Sequence, residues 1–458
     1  MITVVGAGPA GLAAALSAAN AGESVELIES GARLGGQYWR NLPNSIVVDQ
    51  QALNHDFQSG RVLREKVQAH PNITVLLNTQ VWRASHEEGI SILHTISGGT
   101  TREIRTNKLI LATGAYDRTL PFPGWDIPGV MTPGGVQALL KGNNVKAGKK
   151  IVIAGTGPFL LPVATGLAKY GVDVVGLFEA NRLRRWIWQL PALLNNISAI
   201  KEGASYLHTL RKFKVRVQRG YAVVEAHSGS DGNLSAVTVA RVKSDFSVIE
   251  GSQRKVVCDV AAIGWGFTAD LSLAGNLGLM QQVSLLDGGT YVVVDEHQGT
   301  SQAGIFAAGE ITGIGGSKLS LAEGEIAGSA AAGSETNTSK KRKLAKFASA
   351  LLRTYPVGPN WQSWLKPETT ICRCEEVTLE IIEKSVLDLG ATDSRTVKLF
   401  TRCGMGMCQG RICGRSVNDV VARISGKPAS DADRVSSAAR PIASPILLGE
   451  LAQIPIVD

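Results

Sequence analysis

The feature that most constrains this chain is a glycine-rich turn between an apolar strand and a helix, close to its beginning. We predict a buried strand at Ile2–Val5, the turn at Gly6-Ala7-Gly8-Pro9-Ala10-Gly11 and a helix over the alanine-rich Leu12–Ala21. A second strand, Val25–Ile28, then ends at Glu29. This order of strand, turn, helix, strand and acid predicts a βαβ dinucleotide-binding unit.

Each glycine of the turn has a distinct expected role. Gly6 makes the tight turn, Gly8 lets the backbone approach a pyrophosphate, and Gly11 lets the helix pack closely on the strand. The pyrophosphate would lie on the helix N-terminus, where free N–H groups and the helix dipole favour negative charge. Glu29 is placed to accept hydrogen bonds from a ribose. A purely structural turn is the alternative, and the completeness of the unit argues against it.

Three later segments resemble the two-dinucleotide flavoprotein reductases, and the resemblance covers residues 1 to about 335. They are Gly35-Gly36-Gln37, the strand end Ala112-Thr113-Gly114 and the strand end Gly309-Glu310. The resemblance implies an FAD domain, with further contacts at Ser30 and Val81. Those flavoproteins usually carry Asp where Glu310 stands, so the contact to the ribityl chain differs. The sequence has no closely spaced cysteine pair near these segments, which excludes a redox-active disulfide.

The same pattern returns in the middle of the chain. A strand at Lys150–Ala154 leads into Gly155-Thr156-Gly157-Pro158-Phe159-Leu160, a helix over Leu161–Tyr170 and a strand that ends at Glu179. In the resembling family this insert is the NAD(P) domain. Leu160 replaces the third glycine, and Glu179 would repel a 2′-phosphate, which favours NADH over NADPH. A working NADH site and a structural or other-nucleotide site both remain open.

Five of the six cysteines lie in the last ninety residues: Cys372, Cys374, Cys403, Cys408 and Cys413. A C-x-C pair can bring two sulfurs to one iron, so we predict an iron–sulfur cluster. Structural zinc is the main alternative, but its ligand pairs usually follow a C-x2–4-C spacing. The third interpretation is that these cysteines bind no metal. Spacing alone does not choose between Cys403–Cys408 and Cys408–Cys413 as the second pair.

Helices are predicted around these cysteines. Thr378 can cap a helix over Leu379–Leu389, which would put Ile382, Val386 and Leu389 on one face. A second amphipathic helix is expected after Cys413, with Val417, Val420, Val421 and Ile424 on its apolar face.

The cysteine segments resemble the domain first seen in bacterioferritin-associated ferredoxin, in the version fused to the large subunits of opine oxidases, hydroxyproline dehydrogenases and hydrogen cyanide synthase. The matching segments are Cys372–Thr378, Arg402–Cys413, Ala439–Ile446 and Pro121–Trp125. The resemblance implies a [2Fe–2S] cluster held by Cys372, Cys374, Cys408 and Cys413, with Cys403 spare.

These signals together predict an α/β flavoprotein in which a second Rossmann-like domain is inserted into the first, followed by a small helical [2Fe–2S] domain. At about 150 residues per domain, 458 residues suggest about three domains. We expect the FAD-type domain over 1–115 and 265–335, and the insert over 116–264. A linker with one short helix would span 336–365, the cluster domain 366–430 and a tail 431–458.

The net charge of +8 is mild for this length. Basic residues cluster at Arg182–Arg185 and within Lys340–Lys346, without the interleaved aromatics of a nucleic-acid module, so no nucleic-acid partner is expected. No apolar run reaches the ~18 residues of a membrane span, and the cytoplasm is the expected compartment.

The sequence shows no convincing general base or nucleophile, so catalytic residues stay unassigned. In the resembling enzymes, amine oxidation belongs to a separate FAD subunit related to D-amino-acid oxidases. The large subunit relays electrons, in some members through an FMN at the interface, and a further small subunit is allowed. We therefore favour the large subunit of a heteromeric amine, imino-acid or opine dehydrogenase. The alternatives are a self-sufficient NADH-dependent reductase of an external carrier and a non-enzymatic cluster-carrying module.

Overall fold

The computed structural model describes residues 1–43, 57–194, 196–436 and 439–452. Short runs rich in Val, Ile and Leu, without polar alternation, form a parallel sheet that is covered by helices. Its order is Ile305–Ala307, Leu109–Leu111, Ile2–Val5, Val25–Ile28 and Ile73–Leu76. The helices that accompany this sheet are Pro9–Asn20, Phe57–Ala69 and Ser317–Ala331.

The helices Pro9–Asn20 and Ser317–Ala331 approach each other unusually closely because small residues line their contact. A Cβ on Gly324 would lie 2.1 Å from the Ala10 carbonyl oxygen, and one on Gly328 would lie 2.2 Å from that of Ala14. These contacts hold the C-terminal half of the flavin domain against the helix that follows the first glycine turn. An antiparallel meander also belongs to this domain, with strands Gln80–Glu87, Ile90–Ser97 and Thr100–Thr106.

The insert repeats the parallel architecture. Its sheet runs Val217–Arg219, Asp173–Glu179, Lys150–Gly155, Val260–Gly264 and Val130–Met131. Its helices are Pro133–Asn143, Leu160–Lys169, Leu190–Leu194 and Ile197–Lys212, with a 3-10 turn at Leu183–Gln189. A second layer is antiparallel, with strands Tyr221–Ser228, Leu234–Arg241 and Arg254–Val257.

Both crossings between the two domains run through one antiparallel ribbon. Ala115–Asp117 pairs with Phe267–Ala269, and the Asp270 N–H donates to the Gly114 carbonyl at 2.9 Å. Beyond the ribbon, the flavin domain continues through the helix Ser272–Asn276 and the hairpin of Gln281–Val283 and Thr290–Val292. The two chain crossings between the domains therefore lie side by side in one short neck.

The segment 336–365 differs from the expected linker with one short helix. Ser339–Thr354 is a 16-residue helix, and a 3-10 turn follows at Pro359–Trp364. Trp361 is 2% exposed and Trp364 6% exposed, and both belong to the core of the insert. Trp364 Nε1 also donates to the Phe246 carbonyl at 2.9 Å. Buried tryptophans make this segment part of the packed structure.

The cysteine-rich region is a small helical unit with a short hairpin, Thr370–Cys372 with Val377–Thr378. Its helices are Leu379–Leu387, Ser394–Thr401 and Gly414–Ser425, and Asp431–Ser436 and Leu448–Leu451 follow in the tail. Thr378 occupies the N-cap position as predicted, but its side chain makes no capping hydrogen bond. The helix ends two residues before Leu389, which is exposed, so its predicted place on the apolar face is wrong. Val417, Val420 and Val421 are buried as predicted.

The hydrophobic core does not stop at the boundary between the insert and the cysteine-rich unit. Val152 and Phe178 of the insert and Ile371 and Val420 of the cysteine-rich unit belong to one continuous cluster of buried side chains. The α/β fold with a small C-terminal cysteine domain agrees with the prediction. No helix in the described ranges combines the length and the apolar character needed to cross a bilayer.

Candidate functional site

The packing at Gly6 and Gly11 in the first glycine turn agrees with the close contacts that the sequence predicts for them. A Cβ on Gly6 would lie 2.3 Å from the Ala112 carbonyl oxygen, and one on Gly11 would lie 1.7 Å from that of Gly6. A Cβ on Gly8 would meet no atom of the described residues within 4 Å. Gly6 and Gly11 thus serve packing, whereas Gly8, with Pro9 and Ala10 opening the helix, borders open space at the helix N-terminus.

Glu29 lies directly beside this turn. Its Oε2 accepts from the Ala7 N–H at 2.8 Å, and its Oε1 accepts from the Gly31 N–H at 2.7 Å. Gly36 packs over Gly8, because a Cβ on Gly36 would be 2.7 Å from the Gly8 Cα. The structure therefore brings Gly8, Glu29 and Gly36 together at one edge of the sheet.

Other predicted residues lie near the same edge. Ser30 Oγ contacts Glu29 Oε1 at 3.4 Å, and Gln37 accepts a hydrogen bond from the Arg40 guanidinium. Val81 has its side chain buried in the core, two residues after Thr79, whose N–H donates to the Glu29 carbonyl at 3.0 Å.

The later flavin-domain segments meet the turn from the far side. Ala112 packs against Gly6, Thr113 Oγ1 donates to the Asp270 carbonyl at 2.7 Å, and Gly114 has φ +76°. Glu310 Oε1 accepts from the Gly316 N–H at 2.8 Å, just before the helix Ser317–Ala331. Burial raises the pKa of Glu310 to about 7. The Glu310 side chain, which is longer than the usual aspartate, is thus hydrogen-bonded to the protein backbone.

One carboxylate at this edge was missed by the sequence reasoning. Glu323 lies on the buried face of its helix, and its Oε2 accepts from the Gly309 N–H at 2.9 Å and the Thr312 hydroxyl at 3.1 Å. Burial raises the pKa of Glu323 to about 7. The sequence feature that could have identified Glu323 is an acidic residue among small residues, on a helix face that is otherwise apolar.

The second glycine turn has the same backbone but a different surrounding. A Cβ on Gly155 would lie 1.7 Å from the Gly264 carbonyl oxygen, whereas one on Gly157 would have no neighbour within 4 Å in the described part of the chain. Leu160 is 2% exposed and opens its helix as part of the core. The strand-to-helix packing therefore accepts leucine where a dinucleotide site usually has glycine.

Glu179, predicted to contact a bound nucleotide and to disfavour a 2′-phosphate, is 7% exposed. Its carboxylate accepts from Thr156 Oγ1, from the Gly157 N–H and from the Asn181 N–H, each at 2.9 Å. Burial raises the pKa of Glu179 to about 7. Its hydrogen-bonding capacity is thus largely used within the protein.

The segment after the long helix Ser339–Thr354 covers this second site. Asn181 Nδ2 donates to the Pro356 carbonyl at 2.9 Å, and Trp186 Nε1 donates to Tyr355 Oη at 3.3 Å. The Trp186 ring also stacks on Phe347 of the helix, at 6.4 Å between centroids. These contacts close over the acid end of the second βαβ unit.

The cysteines converge in the C-terminal unit. The Sγ atoms of Cys372, Cys403 and Cys413 lie within 4.8 Å of one another, all three buried. The neighbouring Cys403 and Cys413 thiols lower the pKa of Cys372, and the Gly404 N–H adds a contact at 3.4 Å to its sulfur. The Cys413 thiol likewise lowers the pKa of Cys408. Since thiolates are the iron-binding form, this donor set fits an iron–sulfur cluster.

The remaining predicted ligand, Cys374, is exposed and interacts with Cys408. Gly406 is needed beside it, because a Cβ there would lie 2.3 Å from the Cys374 Cβ. Cys403, expected to be spare, is nevertheless inside the buried thiol group. The geometry thus offers five thiols for four ligand positions.

The cysteine unit docks on the Pro121–Trp125 segment. Trp125 Nε1 donates to the Thr370 carbonyl at 2.6 Å, and the Arg373 guanidinium lies over the Trp125 ring at 5.2 Å from its centroid. Cys258 is apart from this group, and burial raises its pKa to about 12, which keeps this thiol protonated and unreactive.

The pyridine nucleotide-disulphide oxidoreductase family matches residues 1–335, which is most of the chain. The chain belongs to this family. A second match, the BFD-like [2Fe-2S] binding domain, covers residues 370–423. This member has free cysteines and no redox disulfide among its described residues. It is a flavin oxidoreductase whose cofactors are FAD and a [2Fe–2S] cluster, as predicted.

Known relatives resemble the whole chain. Hydrogen cyanide synthase subunit HcnB of Pseudomonas protegens is 34% identical, covering 93% of this chain and 92% of the relative. An opine oxidase subunit from Rhizobium meliloti is 30% identical, with 98% of each chain covered. Both are named as subunits of larger enzymes, which confirms the resemblance to the large flavin and iron–sulfur subunits.

Solved structures share the fold. L-proline dehydrogenase from P. horikoshii superposes with a TM-score of 0.68 at 20% identity, covering 99% of this chain and 79% of that one. Thioredoxin reductase of Lactococcus lactis gives 0.52 at 19% identity, covering 72% and 97%. The first superposition extends over the C-terminal region as well.

Proposed function

We propose that this chain is the electron-relaying subunit of a heteromeric dehydrogenase that oxidises a C–N bond of an amine, imino acid or opine. The relatives named as opine oxidase and hydrogen cyanide synthase subunits support this substrate class. The smaller partner would hold its own FAD and take the hydride from the substrate. We include in the proposal an FMN at the interface with that partner.

The observation that carries the proposal is the packing of the cysteine loop against the neck of the flavin domain. Thr119, just after the ribbon, contacts the Ile412 carbonyl through Oγ1 at 3.4 Å. Arg411 Nη2 donates to Ser272 Oγ at 2.8 Å on the returning side of the neck. The predicted cluster ligands therefore lie beside the segments that leave and re-enter the flavin-binding unit.

The roles follow from this arrangement. A bound flavin accepts two electrons and can release them singly, as a one-electron cluster requires. The cluster would be held by Cys372, Cys374, Cys408 and Cys413. The proposed FAD-contacting residues are Gly6, Gly8, Pro9, Ala10, Gly11, Glu29, Ser30, Gly36, Gln37, Val81, Ala112, Thr113, Gly114, Gly309 and Glu310.

The state of the second glycine turn argues against a self-sufficient NADH reductase. Gly155, Gly157 and Glu179 were the predicted nucleotide contacts. Glu179 is buried and hydrogen-bonded to the turn itself, and Asn181 and Pro356 close over it. We propose that this unit supports the cluster domain and that electrons enter from the partner.

The test is an anaerobic titration of the purified chain, followed by flavin and cluster absorbance. We expect NADH to leave both chromophores unchanged. We expect an opine or sarcosine to bleach them once the co-purifying subunit is added. Stoichiometric bleaching by NADH alone would overturn the proposal in favour of the reductase. A purified chain that holds a cluster but no flavin would instead support a non-enzymatic module.

A further inference from the structure

The cysteine unit contains one more thiol than a [2Fe–2S] cluster needs, because four thiolates hold such a cluster. The fifth thiol is that of Cys403, which is 4% exposed. Its Sγ lies within 4.8 Å of the Sγ atoms of Cys372 and Cys413, which are both predicted iron ligands. A buried cysteine usually acts as a small apolar side chain. Cys403 instead meets two ligand thiols, so its sulfur lies where an iron ligand would lie.

The chain turns sharply on both sides of Cys403. Arg402 ends the helix Ser394–Thr401 with φ +64°, and Gly404 has φ +84°. The Gly404 N–H contacts the Cys372 Sγ at 3.4 Å. This short loop therefore packs around the sulfur of Cys372, and the backbone that positions Cys403 also supports a predicted ligand.

The loop of Cys403 is also joined to the loop of Cys374. Arg402 Nε donates to Glu375 Oε2 at 2.9 Å, one residue after Cys374. A Cβ on Gly406 would lie 2.3 Å from the Cys374 Cβ, so the two loops are in direct contact there. Cys403 is thus a buried thiol on a loop that packs against the exposed Cys374.

Cys403 is close enough to Cys372 for both sulfurs to bind one iron. Two thiolates on a tetrahedral metal ion, with bonds of ~2.3 Å, lie about 3.8 Å apart. The Sγ atoms of Cys403 and Cys372 are no more than 4.8 Å apart, so a movement of about 1 Å or less brings them to that separation. The rotation of one side chain supplies a movement of this size without a change of the backbone.

Cys374 is the ligand position most open to chemical attack. It is exposed, whereas Cys372 and Cys413 are buried and Cys408 is half-buried. Oxidation and alkylation of a cysteine follow its thiolate character and its exposure. An iron-bound sulfur is a thiolate, so Cys374 combines both properties. A replacement ligand would therefore be needed at this position before any other.

We propose that Cys403 is a reserve iron ligand that takes the place of Cys374. In this exchange the bond between iron and Cys374 Sγ breaks, and a bond between the same iron and Cys403 Sγ forms. The Cys403 thiol gives up its proton, the released Cys374 thiolate takes one up, and no electron is transferred. The proposal rests on the proposed ligand set, and it does not depend on the partner subunit or on the direction of electron flow.

The first measurement compares iron, acid-labile sulfide and visible circular dichroism in holoproteins purified without added thiols, because an external thiol could occupy an open iron position. Cys374→Ala should keep the wild-type iron content, and its circular dichroism should change because the new ligand comes from another loop. Cys403→Ala should match the wild type. Cys374→Ala/Cys403→Ala should hold at least about tenfold less iron, since only three of the four thiolates that hold a cluster are left.

The matched control is Cys374→Ala/Cys258→Ala, which also removes a second buried thiol, but one outside the cysteine group. It should keep as much iron as Cys374→Ala. Loss of iron in Cys374→Ala would overturn the proposal, and so would retention of iron in Cys374→Ala/Cys403→Ala. Loss of iron in Cys403→Ala would make Cys403 a resident ligand and would overturn it too. A wild-type chain that holds no iron would overturn the ligand set itself, and the reserve with it.

The second measurement needs no substitution at Cys374. Wild-type and Cys403→Ala holoproteins are treated with iodoacetamide without oxygen, the alkylated cysteines are identified by peptide mass spectrometry, and the bound iron is measured. We expect the wild type to keep its iron while Cys374 becomes alkylated, and Cys403→Ala to lose iron in proportion to that alkylation. Equal iron loss per alkylated Cys374 in both proteins would refute the proposal. A Cys374 that stays unmodified in the wild type would also contradict it, because the exchange releases this thiol.

Discussion

Gly8 and Gly11 are three residues apart in one turn, yet substituting each by alanine should have opposite consequences. In Gly8→Ala the new Cβ enters open space, and Gly8 has φ −75°, which alanine adopts freely. The protein without flavin should lose no stability, and it could gain about 0.4–1 kcal/mol from the stiffer unfolded chain. The methyl group would instead occupy the approach of the pyrophosphate.

The expected loss of FAD affinity follows from that displacement. If the methyl group removes one charged hydrogen bond to the pyrophosphate, at about 1.5–3 kcal/mol, FAD should dissociate about 10- to 100-fold more readily. In Gly11→Ala the Cβ would be 1.7 Å from the Gly6 carbonyl oxygen, so the helix must move away from the strand. We expect this overpacking to lower the free energy of unfolding by about 3 kcal/mol.

The assay is FAD content by absorbance, FAD affinity by fluorescence quenching, and thermal unfolding of the flavin-free protein. Gly8→Ala should melt like the wild type without flavin and bind FAD weakly, whereas Gly11→Ala should melt lower in both states. Unchanged FAD affinity in a folded Gly8→Ala protein would refute the assignment of this turn to the pyrophosphate.

Three further predictions concern the rest of the chain. Cys408→Ser should lose the visible absorbance and iron of the cluster, whereas Cys403→Ala should keep both, and iron loss in the latter would make Cys403 a ligand. Burial raises the pKa of Glu179 to about 7 from 4.5. The protonated carboxyl group therefore contributes fully to the free energy of unfolding below pH 4.5, and this contribution decreases by about 3 kcal/mol as the pH rises to 7. Over this pH range, the free energy of unfolding from denaturant titrations should decrease less for Glu179→Gln than for the wild type. Parallel curves for the two proteins would contradict this effect of burial. Trp364→Ala should destabilise the core shared by the insert and the cysteine unit by about 3–5 kcal/mol, and calorimetry should show it; a loss under 1 kcal/mol would contradict this packing.

The local motifs were predictable because their physics is local. A glycine with positive φ or a close backbone contact, such as Gly6 or Gly155, leaves a signature in the sequence itself. The buried valines of the helix after Cys413 follow from a 3.6-residue period. The strands around both turns follow from unbroken apolar runs.

The long-range contacts were not predictable in this way. Nothing adjacent to Glu323 indicates that its carboxylate meets the Gly309 N–H, and nothing adjacent to Trp125 indicates that its indole meets Thr370. The basic composition of Lys340–Lys346 also indicated a solvated linker, whereas this segment is part of a packed helix. Such contacts depend on which surfaces meet after folding.

The uninterrupted core between the insert and the cysteine unit has a consequence for how electrons can travel. A redox centre on a flexible tether must swing between donor and acceptor, and its rate is then set by that motion. Here Trp361 and Trp364 bury their side chains in that core, and Arg411 donates to Ser272 of the flavin domain, so the cysteine unit is held against both domains. Transfer would then be tuned by separation and potential rather than by diffusion of a domain. Damage to the insert should accordingly appear first as lost iron.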